Sequence, residues 1–478
     1  MKENSYHSFQ ELEAAQPPVC AQAEALFAES CAQDAGKWIV LDDDPTGVQT
    51  VNGISVYTDW TEESITEGFQ EDRPLFFILT NSRGMTREET IRVHREIAER
   101  VLAVSQRLGI PFRLISRSDS TLRGHYPTET EVLKDTLESR SDLHFDGEVI
   151  CPFFPQGGRY TIDNIHYVRM GDQMVPAAET EFAGDKTFGY QHSELGAWVE
   201  EKTGGRYRAE DQIFLSLREL RSGNIRAITE QLLRAENFTK IVVNAMAYED
   251  IYVFAAALMQ AIRAGKQYMF RTAAVLPEVL GRVRKRPLLE GAEMVDAGNP
   301  NGGLIVVGSH VKKTTDQLRE LLKEDHLHAV EFRSSLVLDQ EAFQAEQERV
   351  QQEMESALKA GENVVVYTER KLLLPDSGDP EDALRLSLKI ADAVTGFVAQ
   401  LSVRPRFLIA KGGITSSEVG VRGLKVRRAE VAGQILAGIP VWRTGEGSRF
   451  PGLSYIIFPG NVGDEFALRQ AYRKLTSV

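Results

Sequence analysis

From residue 38 onward, short apolar runs alternate with longer stretches of helical periodicity. The runs at 38–41, 54–57, 75–79, 112–115, 149–151 and 241–243 have the length of buried strands. Between several of them apolar residues recur at helical spacing, as in 87–108 and 225–234. Such alternation requires crossover connections and hence a largely parallel sheet. Residues 1–36, rich in Ala, Glu and Gln and containing Pro17-Pro18, read as an N-terminal helical extension of one or two short helices.

The rhythm breaks around residues 282–301, where basic residues and Pro287 lead into Asn299-Pro300-Asn301-Gly302-Gly303, a cluster of turn formers. It then resumes, with strands expected at 304–307, 363–367 and 407–410 and helices near 312–323, 340–360 and 380–401. The pattern predicts an α/β protein of two α/β domains with largely parallel sheets, spanning 37–285 and 286–478 after the extension. There is no short-period repeat.

Composition narrows the function classes. With 42% hydrophobic and 26% charged residues, 38 glycines and 18 prolines, the usage is that of an ordinary globular protein. A formal charge of -14, from 69 acidic against 55 basic residues, argues against a general nucleic-acid binder but allows a local basic pocket for an anion. Cys20, Cys31 and Cys151 are too few for a disulfide framework and lack zinc-site spacing, which suits reduced thiols. The N-terminus lacks a signal pattern and no run approaches the roughly 18 apolar residues of a membrane span, so a cytoplasmic protein without membrane partners is expected.

Polar motifs fall where strands should end, the place where parallel sheets bind ligands. The first run empties into Asp42-Asp43-Asp44-Pro45-Thr46-Gly47, whose adjacent carboxylates need solvent, a cation or hydrogen-bond donors. Thr80-Asn81-Ser82-Arg83-Gly84 offers a guanidinium that can grip a carboxylate. The segment Ser116-Arg117-Ser118-Asp119-Ser120-Thr121-Leu122-Arg123-Gly124-His125 mixes cations, hydroxyls and an acid, a set suited to a polyhydroxylated anion. Gly157-Gly158-Arg159 adds another arginine, while His166 and His192 read as structural histidines because no second metal ligand is spaced for them. In the second half Gly308-Ser309, Lys411-Gly412-Gly413-Ile414-Thr415 and Gly460-Asn461-Val462-Gly463 offer amides and hydroxyls to phosphate. Neither a Walker-type nor a G-x-G-x-x-G motif is present.

Taken in order, these motifs resemble the four-carbon acid sugar kinase family from about Trp38 to the C-terminus. The resemblance rests on Asp43 to Gly47, the Arg83 loop, Asp119 to Gly124, Gly158-Arg159-x-Thr161, Glu179-Thr180-Glu181-Phe182 with Asp185, and the three glycine motifs of the second half. It implies a sugar-acid-binding domain at 37–285 and a nucleotide-binding domain at 286–478, facing each other across a substrate cleft. It also implies transfer of the γ-phosphoryl group of ATP, with Mg²⁺, to the terminal hydroxyl of threonate, erythronate or a 3-oxo-tetronate. Asp43 or Asp44 would accept the hydroxyl proton, and Arg83, Arg117, Asp119, Ser120, Arg123, Gly124 and Arg159 would face the sugar acid, with Arg83 and Arg123 clamping its carboxylate. Ser309, Gly412, Gly413, Ile414, Thr415, Gly460 and Gly463 would meet the nucleotide. The chain departs from the family in carrying Asp42, Pro45 and Arg117, the last where lysine is common. The resemblance allows a homo-oligomer.

The same turn supports a rival. Asp42-x-Asp44-x-Thr46 matches the opening motif of haloacid-dehalogenase-type phosphatases, in which the first Asp is the nucleophile. That scheme gives the second domain no task. A non-catalytic sugar-acid sensor is a third reading, which predicts binding without turnover.

Overall fold

The computed structural model describes residues 6–32, 34, 36–370, 380–460 and 462–477, with the side chains of 380–384 left aside. The fold is α/β, and the chain divides into two compact units, Met1–Gly47 with Asp59–Val283, and Val48–Thr58 with Arg284–Val478.

Strands up to residue 283 are β1 (Lys37–Asp42), β2 (Ile54–Tyr57), β3 (Leu75–Leu79), β4 (Phe112–Arg117), β5 (Gly147–Cys151), β6 (Arg159–Ile162), β7 (Ile165–Met170), β8 (Gln173–Pro176), β9 (Ile213–Leu215), β10 (Thr239–Val243) and β11 (Tyr268–Thr272). In the N-terminal unit the order is β3-β1-β4-β11-β5-β10-β9 and every pairing is parallel. β1 and β3 are buried at every position, which is why they read as unbroken apolar runs: helices cover both faces of such a sheet. The long helix Arg87–Leu108 begins with a capping box between Thr86 and Glu89 and ends at Gly109 with φ +68°. It buries Val93, Ile97, Val101 and Val104, one stripe at helical spacing.

β6, β7 and β8 form a small antiparallel sheet, and His166 on β7 is fully buried with partners at Thr161 Oγ1 (3.0 Å) and Ser120 O (2.8 Å). The N-terminal helices Phe9–Ala14 and Ala23–Cys31 pack on this unit through Phe9 against Tyr160 and Phe27 against Tyr252. Cys20, Cys31 and Cys151 are free thiols.

The second unit adds β12 (Leu304–Val307), β13 (Leu327–Phe332), β14 (Asn363–Thr368), β15 (Leu408–Lys411), β16 (Arg428–Leu436), β17 (Ile439–Thr444) and β18 (Ser454–Phe458). β13-β14-β12-β15-β18 are parallel, and β17, β16 and β2 continue antiparallel from β18. Thus β2, which the alternation placed in the first domain, pairs with β16 of the second, because residues 48–58 leave the N-terminal unit and return. Its core gathers Ile305, Val307, Ile409, Ile456 and Phe458 against Leu468, Tyr472 and Leu475 of the C-terminal helix. Among the described residues no helix is long and apolar enough to cross a membrane.

Candidate active site

Three adjacent strands of the N-terminal unit end side by side. Asp42 pairs in register with Leu79 of β3 on one side and Arg117 of β4 on the other, so the turn of acids, the Arg83 loop and the Arg117 loop share one edge. Gly47 closes the turn so tightly that a Cβ there would come 2.1 Å from Asp42 Oδ1 and 2.5 Å from Arg117 Nη1, a space only glycine fits.

The acids are held by the arginines. Arg83 grips Asp43 with both arms of its fork, Nε at 3.0 Å and Nη2 at 2.7 Å, and places Nη1 3.3 Å from Asp44. Arg117 Nη1 donates to Asp42 at 3.0 Å and to Asp43 at 3.2 Å. Asp42 and Asp43 are buried, whereas the Asp44 side chain keeps 21% of its surface exposed. Burial pushes Asp42 up to about 7, against the pull of Arg117 and with Asp43 and Asp44 adding to it. It lifts Asp43 also, despite Arg83 and Arg117. For Asp44 burial is outweighed by Arg83 and by the Thr46 amide and hydroxyl, at 2.8 and 2.6 Å, and the carboxyl lies below its ordinary range.

The next loop lies against the same acids. A Cβ on Gly124 would stand 3.7 Å from Asp43 Oδ2. Asp119 accepts from Arg123 Nε at 2.7 Å and from Thr121, and although burial opposes its ionisation, Arg83 and Arg123 hold its carboxyl well below the usual range. Ser120 is buried, its carbonyl accepting from His166, and Arg159 is half-buried.

Two residues here escaped the sequence reading. Glu129, at the start of the helix Thr128–Arg140, accepts from Ser82 at 2.6 Å and from Ser116 and Ser118 at 3.2 Å each, tying the Arg83 loop to the Arg117 loop. An acid in the first turn of a helix is so common that nothing in the sequence set it apart. Arg271 on β11, fully buried, donates to the carbonyls of Asp119 and Arg123 at 3.1 and 3.2 Å. A charge inside an apolar five-residue strand was its signal.

In the second unit, β12, β15 and β18 end together, bringing up Gly308-Ser309, Gly412 to Thr415 and Pro459-Gly460. Gly412 has φ +117°, and a Cβ on it would lie 3.0 Å from Ser309 Cβ and 3.4 Å from Thr415 Oγ1, so Ser309, Gly412 and Thr415 converge. Gly413 and Gly460 border open space, Ile414 is exposed, and Gly463 lies against Ala467. Asn461 is outside the described residues. Lys411, which the sequence reading named as part of the glycine motif without a role of its own, is buried at the end of β15 and donates to the carbonyls of Pro459 and Gly460. Burial, with the charge of Lys313 adding, pushes its amine down to about 7.

Residues 38–280 match the family model of a sugar-binding N-terminal domain, and residues 304–468 that of a nucleotide-binding C-terminal domain. A D-threonate kinase of Cupriavidus necator is 26% identical over 390 residues, 77% of this chain and 81% of that protein. Of solved structures, a Salmonella typhimurium LT2 protein superposes with a TM-score of 0.67 at 18% identity, covering 92% of this chain and 99% of that one. A Haemophilus influenzae protein gives 0.59 at 16%, covering 91% and 100%. These structures share the fold. With both domain models matched in order, the chain belongs to the four-carbon acid sugar kinase family.

Proposed function

We propose that this chain is an ATP-dependent kinase that phosphorylates the terminal hydroxyl of a four-carbon sugar acid, with D-threonate the first acid to test because of the 26% identical relative. The observation that carries this reading is the row of acids and guanidiniums at the ends of β3, β1 and β4, in the unit that matches a sugar-binding domain. Hydroxyls and a carboxylate are the groups such a row recognises.

Phosphoryl transfer asks little covalent help of a protein: it needs alignment, charge neutralisation and a carboxylate near the attacking hydroxyl. Asp44 is the better candidate for that carboxylate. Both Asp43 oxygens are engaged by guanidiniums and the side chain is buried, whereas Asp44 is partly open and anionic. Asp43 then serves to fix Arg83 and Arg117. Fixing the hydroxyl against the γ-phosphorus is worth up to about 7–11 kcal/mol in ideal cases. Ser309, Gly412, Gly413, Thr415 and Gly460 are the groups proposed to border the nucleotide, with Ile414 as an exposed apolar neighbour. Mg²⁺ enters as part of the MgATP substrate; among the described residues no group of His, Cys, Asp or Glu side chains is set to hold a metal alone.

The phosphatase reading needs Asp42 to attack a phosphorus atom, but Asp42 is 1% exposed and lies against Arg117. An ADP-release assay of the purified chain with D-threonate, L-threonate, D- and L-erythronate and 3-oxo-tetronates tests the proposal. ADP release with at least one acid is expected; none with any acid, while a ligand still raises the melting temperature, would leave a sensor instead of a kinase.

A further inference from the structure

Residues 1–36 have no task in the scheme above, and the match to the sugar-binding domain begins only at residue 38. In the structure the described part of this extension is fastened at two ends. At one, Pro17 O accepts from buried Arg221 at 2.6 Å, Ser30 O accepts from Arg263, and Asp34 meets Arg113 at 3.0 Å. The Phe27 ring lies 5.8 Å from that of Tyr252. Arg221 is itself paired with Asp250, in the first turn of the helix Tyr248–Arg263, so this end is anchored on the body of the N-terminal unit.

The other end reaches the small sheet. Ser8 bridges antiparallel to Gln173, the Met174 amide donates to His7 O at 2.9 Å and the Phe9 amide to Asp172 O at 3.4 Å, so the extension pairs along the outer edge of β8. The Phe9 ring lies 4.9 Å from that of Tyr160 and 5.2 Å from the guanidinium carbon of Arg169, and Tyr6 donates to Glu179 at 2.9 Å. Side chains alternate across a strand, so Tyr160 and Ile162 face one side of β6 while Arg159 and Thr161 face the other. On that other side Arg159 lies 5.5 Å from the ring of Phe182, and Thr161 meets His166, which reaches the Ser120 carbonyl. The extension thus backs a strand whose front meets the 119–124 loop. A sheet of three strands, each four to six residues long, has little core of its own and depends on such backing.

We infer that the N-terminal extension is a strap that sets β6 and the turns from Glu179 to Asp185 against the 119–124 loop, with Phe9 and Tyr6 as its positioning residues. The inference rests on the kinase reading, which puts that loop on the sugar-acid side, and it gives the extension a part in acceptor binding and none in nucleotide binding. Neither residue touches a reacting atom. Phe9 acts through Tyr160, the neighbour of Arg159 on β6, and Tyr6 acts through Glu179, at the end of the turn Ala177–Glu179. The two contacts fall on different pieces of chain, so their losses should combine independently.

The test uses the full chain, ADP-release kinetics with the acid the wild type turns over best, and amide hydrogen exchange. Phe9→Ala should raise KM for the acid about fivefold while kcat changes less than about threefold and KM for ATP stays put. Phe9→Tyr, which keeps the ring on Tyr160, should restore the wild-type KM. Tyr6→Phe removes a single hydroxyl and should raise the same KM about threefold, and the double variant about tenfold or more. Exchange in Phe9→Ala should quicken about tenfold at residues 159–185 while the amides of β1, β3 and β4 keep their wild-type rates. Should Phe9→Ala not fold, Tyr6→Phe carries both measurements. An unchanged KM for the acid in the foldable variants would overturn the strap and leave the kinase reading intact. So would exchange quickened evenly through the unit with both KM values raised together, which is a plain loss of stability. Wild-type chain that releases no ADP with any acid would overturn the kinase reading and, with it, the strap's part in acceptor binding.

Discussion

Asp42 and Arg117 are register partners at the ends of β1 and β4, and Arg117 Nη1 divides itself between Asp42 at 3.0 Å and Asp43 at 3.2 Å. The structure thus pairs with each other two residues that the resemblance singled out as departures from the family pattern. Asp42 Oδ2 is buried without a partner, so the carboxylate pays for its burial with only one oxygen satisfied. Its folded pKa, pushed up to about 7, lies above the ordinary value near 3.8, so the unfolded chain ionises this group first. The sign follows: the penalty is absent below about pH 4, grows through the interval, and is complete above pH 7, on the order of 4 kcal/mol. Asp42→Asn, which mimics the protonated acid and still accepts from Arg117, should remove this loss. Urea midpoints of both proteins from pH 4 to 8 check it, and parallel curves would mean that Asp42 ionises normally in the fold.

Asp44 and Asp43 should separate cleanly. Asp44→Asn removes a partly open carboxylate without releasing the Arg83 fork from Asp43, so kcat should fall about 10²–10⁴-fold with little change in KM. Asp43→Asn unbalances two guanidiniums at once and should cost about 3–5 kcal/mol of stability as well as activity. ADP-release kinetics and chemical denaturation on both variants discriminate the two roles, and equal kinetic losses with equal stability would dissolve the distinction.

These roles also mark where reading the sequence stops. β1, β3 and β12 were legible because a strand covered on both faces is an unbroken apolar run. β11 was not, since buried Arg271 interrupts Tyr268 to Thr272, and β13, partly exposed, has no such run. The placement of β2 depends on its pairing with β16, more than 370 residues away, which no local pattern encodes. The residues proposed for the site were legible as strand-end loops, yet their partners were not. Arg83 lies 40 positions from Asp43, and only the register of β3 against β1 brings its fork onto Asp43.

Glu129 joins those loops, so its removal should act on both stability and catalysis. Glu129→Ala strands the hydroxyls of Ser82, Ser116 and Ser118, and about 1–3 kcal/mol of stability should be lost, with kcat/KM falling at least tenfold. Glu129→Gln keeps the size and one acceptor oxygen and should recover most of the stability. Thermal melts and kinetics of the pair decide it: full activity in Glu129→Ala would show that the two arginine loops hold their places without this acid.

Lys411 offers the corresponding test in the nucleotide-binding unit. Its amine donates to the carbonyls of Pro459 and Gly460 and lies 4.5 Å from the Phe458 ring, so it holds the end of β18 against the end of β15. Burial pushes its folded pKa down to about 7 from 10.5, with Lys313 adding to the shift. Between those values the unfolded chain binds a proton that the folded chain does not, so stability from this group should rise with pH from 7 toward 10 and be lowest below 7. Lys411→Met removes the titration, and its stability relative to wild type should be best at pH 6 and decline by on the order of 2–4 kcal/mol toward pH 10. The same variant frees the Pro459-Gly460 loop, so KM for ATP should rise about tenfold while KM for the sugar acid is unchanged. A pH-independent difference in stability would place an ordinary lysine at 411, and an unchanged KM for ATP would remove the β18 loop from the nucleotide site.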